Sequence, residues 1–303
     1  LGTDKAVNNF DAGKTLTLES FLSSLTYYFI FQSSNCNGLY MSWNICEKLT
    51  KNSLLDLQYA ILILNRPVTQ NAAFMMNMWN KAKVRVTVDG GTRRWDTYIS
   101  NLSKEIQQDA KMPELVTGDF DSITEEILEK YKSKGCKIIH TPDQDLTDFT
   151  KAIVQLNRYC KEENLQIDTV IVVGQTSGRM DQIMGNIQTM FLCKEKHLLP
   201  IKTNVYLMSD DTLSWLLYPG THNIDIPEDI RKHKKPWCSL VPVGEKCEAV
   251  TTSGLKWNLV KAPLKFGDMV SSSNTYSGSP TVTITCSHII LWSMKVPSLI
   301  GNL

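Results

Sequence analysis

The sequence lacks most of the short signals that identify an enzyme at once. No G-x-x-x-x-G-K-[ST] run is present, which excludes a P-loop as a phosphate cradle, and the absence of G-x-S-x-G argues against an α/β-hydrolase. Eight cysteines occur without a C-x-x-C pair, so a zinc ribbon and a thioredoxin-like motif are both disfavoured. The five histidines are scattered without zinc-ligand spacing and read as surface or structural residues. Charge of one sign is also missing: 32 Lys and Arg against 31 Asp and Glu leave a formal +1, without the basic excess of a nucleic-acid binder. The aromatic, apolar run Leu25–Gln32 is far shorter than the roughly 20 residues that span a bilayer. Asp4, Asp11 and Glu19 precede it, which does not suit a secretory signal, and Asn101-Leu102-Ser103 then reads as a chance glycosylation sequon. The expectation is a cytoplasmic protein with reduced thiols and no nucleic-acid or membrane partner.

What the chain does have is length and alternation. At 303 residues and 42% hydrophobic it holds about two globular domains with a sizeable core. Short apolar runs at Ala60–Leu64, Val84–Val88, Leu115–Thr117, Lys137–His140 and Thr169–Val173 are bounded by Gly, Pro, Asp or Asn and read as strands. Amphipathic stretches lie between them; Phe149, Ala152, Ile153 and Leu156 recur at helical spacing, with Tyr159 and Cys160 continuing the face. That alternation predicts an α/β domain with a mainly parallel sheet. After about Tyr218 the texture changes to short runs separated by turns such as Pro219-Gly220, Val243-Gly244, Ser253-Gly254 and Ser277-Gly278. Runs at Ser239–Val243, Val250–Thr252, Met269–Ser271 and Thr281–Thr285 predict a C-terminal all-β sandwich domain. The division expected is residues 1–50 as an N-terminal extension without clear patterning, 51–217 as the α/β domain and 218–303 as the sandwich. Interpretable patterning starts near Met41, which is expected to lie close to the functional beginning.

The chemistry sits after the strands. Val88 is followed by Asp89-Gly90-Gly91, and Thr117 by Gly118-Asp119-Phe120-Asp121-Ser122. His140 leads into Asp143, Gln144, Asp145, Thr147 and Asp148, and Val173 into Gly178, Arg179 and Asp181. In an open parallel sheet ligands bind outside the carboxyl ends of the strands, so these loops are expected to converge. Seven carboxylates (89, 119, 121, 143, 145, 148 and 181) would then share a cleft and require counter-charge. Mg2+ bound by one or two carboxylates and completed by phosphate oxygens supplies it economically. Glycine amides and Arg179 suit phosphate contacts. Any one aspartate is equally a cap or turn former, Asp121, Ser122 and Thr147 being well placed for that, so the argument rests on the group. In the second domain, Trp257 follows Ser253-Gly254-Leu255-Lys256 on a predicted hairpin. Spacing alone favours a core or sheet-face indole; the alternative is a stacking plate for a flat or cationic ring. Trp237 and Trp292 read as core.

Taken as a set, Asp89-Gly90-Gly91, Gly118-Asp119-Phe120-Asp121-Ser122-Ile123, Thr141 to Lys151, Ser177-Gly178-Arg179-Met180-Asp181 and Gly254-Leu255-Lys256-Trp257-Asn258-Leu259 resemble the animal-type thiamine pyrophosphokinase family. The resemblance runs from about Leu57 to Met294. It implies a homodimer with each active site between the α/β domain of one subunit and the β domain of the other, using ATP, thiamine and Mg2+. It implies that Asp119, Asp121 and Asp148 bind the metal and, with Arg179, act in catalysis. It further implies that Asp89, Gly90, Gly91, Arg179 and Asp181 hold ATP, that Gln144 and Asp148 lie near thiamine, and that Ser253 and Trp257 wall its pocket. Thr92, Arg93, Gln175 and Met180 depart from the family pattern near the ATP loops. Competing readings are another Mg2+-dependent nucleotide kinase or phosphohydrolase, and a non-catalytic thiamine- or nucleotide-binding module.

Overall fold

The computed structural model describes residues 40–50, 54, 56–174 and 178–300. The Leu25–Gln32 run, Cys36 and Gln175–Ser177 lie outside the described residues.

The strands in chain order are β1 (Tyr40–Trp43), β2 (Tyr59–Ile63), β3 (Val84–Val88), β4 (Leu115–Gly118), β5 (Lys137–His140), β6 (Thr169–Val173), β7 (Asn204–Ser209), β8 (Thr212–Leu217), β9 (Gly220–Asp225), β10 (Cys238–Pro242), β11 (Cys247–Ser253), β12 (Ala262–Leu264), β13 (Ser271–Asn274), β14 (Thr281–Cys286) and β15 (Ile290–Lys295). A ten-stranded sheet runs β13-β10-β15-β8-β7-β6-β2-β3-β4-β5, and a five-stranded sheet runs β1-β9-β14-β11-β12. Strands β2 to β7 pair in parallel, each of β2, β3 and β6 being buried along its whole length. Helices on both faces make continuous Val/Ile/Leu runs possible, because neither side meets water.

The chain builds β2, β3, β4 and β5 outward in one direction, then crosses back to place β6 on the opposite side of β2. The crossover is the helix Asp148–Glu162, whose Phe149, Ala152, Ile153 and Leu156 are all buried as the periodicity predicts. Burying each large apolar side chain there contributes about 1.5–3 kcal/mol. Reversal of strand order between β2 and β6 opens a crevice at their carboxyl ends.

The turn after Ser209 sends β8 back antiparallel to β7, and from there the same sheet continues into the C-terminal region through β15, β10 and β13. One layer of the sandwich is therefore an extension of the α/β sheet. The five-stranded sheet supplies the other layer; burial alternates in its β9 and β14, and in β15 of the facing sheet. Of the short runs read there, Met269–Ser271 contributes only its last residue to a strand.

Residues 40–50, left without an element by patterning, are integral. β1 pairs in parallel with β9, and the helix Ile45–Thr50 buries Ile45, Cys46 and Leu49. Trp43 packs among Tyr206, Trp215 and His222, and its indole N–H donates to His222 Nδ1 at 3.0 Å. Trp292 is fully buried as expected, whereas Trp237 is only partly so.

Candidate active site at the carboxyl edge

Asp89 ends β3 and is 4% exposed, with φ at 47°, a conformation uncommon for a non-glycine residue. Its amide donates to Thr117 O at 2.7 Å, locking it against the end of β4. Gly118 lies so close that a Cβ there would sit 2.8 Å from Asp89 Cβ. On the other side, a Cβ on Gly91 would be 2.2 Å from Ile63 O, so only glycine lets the helix Gly90–Ser100 start hard against β2.

After β4 the chain folds over itself at Phe120, whose ring stacks on His140. Asp119 Oδ1 accepts from the Asp121 amide at 3.4 Å, and Asp119 Oδ2 from Gln144 Nε2 at 3.1 Å. Ser122 donates its amide to Asp89 Oδ1 at 3.4 Å and its hydroxyl to Asp121 Oδ1 at 2.8 Å. Asp121 and Ser122 thus cap no helix, since the next one begins at Glu125 after Thr124; Thr147 does cap, accepting from the Thr150 amide at 3.1 Å.

The result is a triple: Asp89, Asp119 and Asp121 each offer a carboxylate oxygen, all within 4.8 Å of one another. Burial pushes the Asp89 carboxyl above its ordinary value and the nearby Asp148 charge adds to this, partly offset by amides of Gly90 and Ser122. Partial burial works in the same direction on Asp119, but Gln144, the Asp121 amide and the Lys151 charge hold it below the usual carboxylate range. Three hard oxygen donors this close suit a small divalent cation, whose own oxygen ligands stand at about 2.0–2.1 Å.

The remaining carboxylates are placed differently. Asp148 lies 2.8 Å from the ammonium of Lys151 as an ion pair. Asp143 accepts from the Asp145 amide at 2.7 Å in an exposed turn, and Asp181 is paired with Arg179. That pairing holds the Asp181 carboxyl below its ordinary value. The expectation of seven carboxylates sharing one cleft therefore contracts to three in mutual contact, with Asp148 beside them. Asp89, assigned to ATP by resemblance, stands within the cation-sized group.

Sequence reading passed over Asn65 and Arg66, although they follow β2 with only Leu64 between. Asn65 Oδ1 accepts from Arg94 Nε at 3.3 Å and its side chain crowds Gly90, while the Arg66 guanidinium lies against Gly178. Both sit at the β2/β6 crevice. Lys151 was missed as well, no motif of its own marking it out.

In the sandwich, Ser253 is exposed at the end of β11, and the chain turns at Gly254, where φ is 81° and a Cβ would be 2.3 Å from Thr281 O. The buried Asn274 grips the following loop from both sides, accepting from the Trp257 amide at 3.3 Å and donating to Trp257 O at 2.8 Å. The Trp257 indole is 55% exposed, which overturns the core reading that spacing favoured. Asn258 pins the same loop through Leu255 and Thr252. Lys256 Nζ stands 4.6 Å from the indole centroid, showing that this face accepts a cation.

A doubly wound sheet with an aspartate triple at the carboxyl ends of β3 and β4, beside its switch point, fused to a β-sandwich presenting an aromatic plate, defines an α/β enzyme of phosphate chemistry with an appended binding region. The family profile "Thiamin pyrophosphokinase, catalytic domain" matches residues 75–202, and "Thiamin pyrophosphokinase, vitamin B1 binding domain" matches residues 221–291. The chain belongs to the thiamin pyrophosphokinase family. Thiamine pyrophosphokinase 3 of Oryza sativa subsp. japonica is 33% identical over 246 residues, covering 78% of this chain and 87% of the relative. Thiamin pyrophosphokinase 1 of Caenorhabditis elegans is 27% identical over 233 residues, covering 74% and 86%. The fold is shared with thiamin pyrophosphokinase from Candida albicans, with a TM-score of 0.70, 23% identity and coverage of 87% and 94%. It is shared likewise with the yeast enzyme, at 0.73, 20%, 90% and 96%.

Proposed function

We propose that the carboxyl edge transfers the pyrophosphoryl group of ATP to the hydroxyl of thiamine, giving thiamine diphosphate and AMP. The observation that carries this is the grouping of Asp89, Asp119 and Asp121 at the carboxyl ends of β3 and β4, on a chain whose family performs this reaction. In this reading Asp119 and Asp121, with Asp89 and Asp148 beside them, hold Mg2+, which neutralises charge on the transferring phosphates.

The other steps belong to the chain's own groups. The β2/β6 crevice, with Gly90, Gly91 and the Arg179–Asp181 pair at its rim, receives ATP. Thiamine carries a fixed positive thiazolium, so the Trp257 face, beside Ser253, offers its ring a cation-binding wall. Gln144, anchored to Asp119, sits where thiamine's side of the site meets the phosphates. The primary alcohol attacks the β-phosphorus in line: an O–P bond forms, the bridge to the α-phosphate breaks, and AMP leaves with the bridging oxygen. Asp121 or Asp148 orients the hydroxyl and takes its proton late, because a carboxylate is a far weaker base than an alkoxide.

The exposed indole and the exposed Met180 and Met184 support completion of each site by a second copy, a homodimer in which one sandwich faces the other subunit's carboxyl edge. The described cysteines are buried thiols, which supports a reducing, cytoplasmic setting. Among the described residues no helix is long and apolar enough to cross a membrane.

Incubation with ATP, Mg2+ and thiamine tests the reading, AMP and thiamine diphosphate appearing together in equal amounts. ADP would mean a simple kinase, nucleotide loss without thiamine a phosphohydrolase, and tight thiamine binding without turnover a binding module. For the dimer, adding Asp121→Asn chains to Trp257→Ala chains should regenerate sites built from an intact edge and an intact sandwich, so the KM for thiamine should fall toward the wild-type value; an unchanged KM would count against shared sites.

A further inference from the structure

Lys151 occupies a position that local physics disfavours. It lies in the first turns of the helix Asp148–Glu162, its amide bonded to Thr147 O at 2.9 Å, where the helix end favours negative charge. Its side chain is only 6% exposed, and removing an ammonium from water is costly unless its hydrogens are matched. Here two hydrogens are bonded to carbonyls and a carboxylate faces the charge. The ammonium donates to Thr141 O at 3.0 Å and Asp143 O at 2.9 Å, and stands 2.8 Å from Asp148 Oδ1.

These acceptors span the loop between β5 and the helix, which lacks regular structure of its own. The loop's beginning is fixed to β4, Thr141 donating its amide to Gly118 O at 2.7 Å. Its end is fixed by a hydroxyl cluster, Thr147 and Thr150 both meeting Thr189 of the helix Met180–Glu195. Between these anchors Lys151 reaches the middle at Asp143 O, next to Gln144. Gln144 in turn donates to Asp119 Oδ2 at 3.1 Å and Pro142 O at 3.2 Å. A methionine of similar volume would fill the space without the desolvation cost. Retaining an ammonium therefore points to what its two hydrogen bonds and its ion pair hold.

We infer that Lys151 is a positioning residue for pyrophosphoryl transfer: its buried ammonium staples the Thr141–Thr147 loop and orients Asp148, so that Gln144 and Asp148 face the Asp89–Asp119–Asp121 group in one arrangement. The inference rests on the functional reading above, and Lys151 acts through Asp148 and Gln144 without contact to substrate. It also supplies a resident positive charge to an edge crowded with carboxylates.

Lys151→Met, Lys151→Ala and Gln144→Leu in the full chain test it. Lys151→Met is expected to lower kcat about 100-fold with KM for thiamine little changed, and to speed amide exchange across 141–147 in protein without substrates. In Lys151→Ala, added propylammonium should recover part of kcat and slow that exchange, whereas 1-propanol, of similar volume but uncharged, should do neither. Equal rescue by amine and alcohol, or wild-type kcat and exchange in Lys151→Met, would overturn the inference. Should both lysine variants fail to fold, Gln144→Leu leaves the staple intact while cutting its link to Asp119; a kcat within about threefold of wild type there would also overturn it. Absence of AMP formation by the unmodified chain would count against the functional reading, and the exchange comparison, which needs no turnover, then decides the staple by itself.

Discussion

Before the β7–β8 turn, the central strands β2, β3, β4 and β6 bury every residue; after it, β9, β14 and β15 bury every second one. β2, β3 and β6 are covered on both faces, so no side chain along them reaches solvent. Chemistry in that half is forced to the strand ends, and all the parallel strands share one carboxyl edge. β14 and β15 present alternate residues outward, so a binding group in the sandwich is free to lie on a face or in a loop. The Trp257 plate lies in a loop. Topology sets the position of the proposed site in the first half, and hydrogen bonds to the side chains of Asn274 and Asn258 set that of the proposed thiamine wall in the second. Substitutions that separate turnover from substrate affinity and stability put this contrast to the test.

The largest effect belongs to the triple. Asp121→Asn removes one charge while keeping shape, and turnover should fall by about 100-fold to 1,000-fold. Because Asp121 is exposed, the melting temperature should hardly change. A variant with wild-type turnover would remove Asp121 from the site and weaken the rule that the strand ends carry the chemistry.

The sandwich is where pH should act on stability. His222 is fully buried between Trp43 and Tyr218 O, and desolvation pushes its pKa down from 6.5 to about 4. The native ring stays neutral where the unfolded chain takes up a proton, so stability is complete above about pH 6.5 and is lost as pH falls toward about 4. The full loss is on the order of 3 kcal/mol. Urea midpoints of wild type and His222→Gln measured from pH 7 to pH 4 should converge as the wild type weakens. Parallel curves would show that burial does not hold this ring neutral.

Packing at the head of β2 comes next. Gly91→Ala drives a methyl into Ile63 O, and overpacking of this kind costs about 1–3 kcal/mol. Thermal melts should show the loss even without substrates. An unchanged melting temperature would mean that the edge has slack, contrary to the tight register that Asp89 and Gly118 share.

How much of this could be read from the residues follows from the same contrast. The parallel strands, the covering helix and Asp119 and Asp121 were readable because a fully apolar run ending in Gly-Asp-Phe-Asp fits a buried strand that stops at a solvent-facing, acidic edge. Asn65 and Arg66 obeyed the same rule but carry no carboxylate, so a search for metal ligands passed over them. Lys151 was unreadable for a deeper reason: its three acceptors are two backbone carbonyls and one carboxylate, brought together only by the loop's path. β1 was hidden because its pairing with β9 joins residues far apart in sequence, as the Trp43–His222 bond at a separation of 179 illustrates. Trp257 misled because strand alternation ceases at Gly254, after which spacing no longer reports which way a side chain faces.

The smallest effect is at that indole. Trp257→Ala deletes an exposed ring gripped through its backbone, so the loop should survive and the melting temperature should stay put. A cation over an indole contributes about 0.5–2 kcal/mol, which corresponds to an increase in KM for thiamine of about 2-fold to 30-fold. Trp257→Phe should recover part of it, since phenyl offers a weaker cation-binding face, whereas Trp257→Leu should not, although it restores apolar area. Turnover at saturating thiamine distinguishes the halves most sharply: it should remain near wild type in Trp257→Ala and collapse in Asp121→Asn. If removing the indole instead lowers turnover as much as it raises KM, the sandwich takes part in reaching the transition state, and the separation of chemistry at strand ends from binding in loops fails.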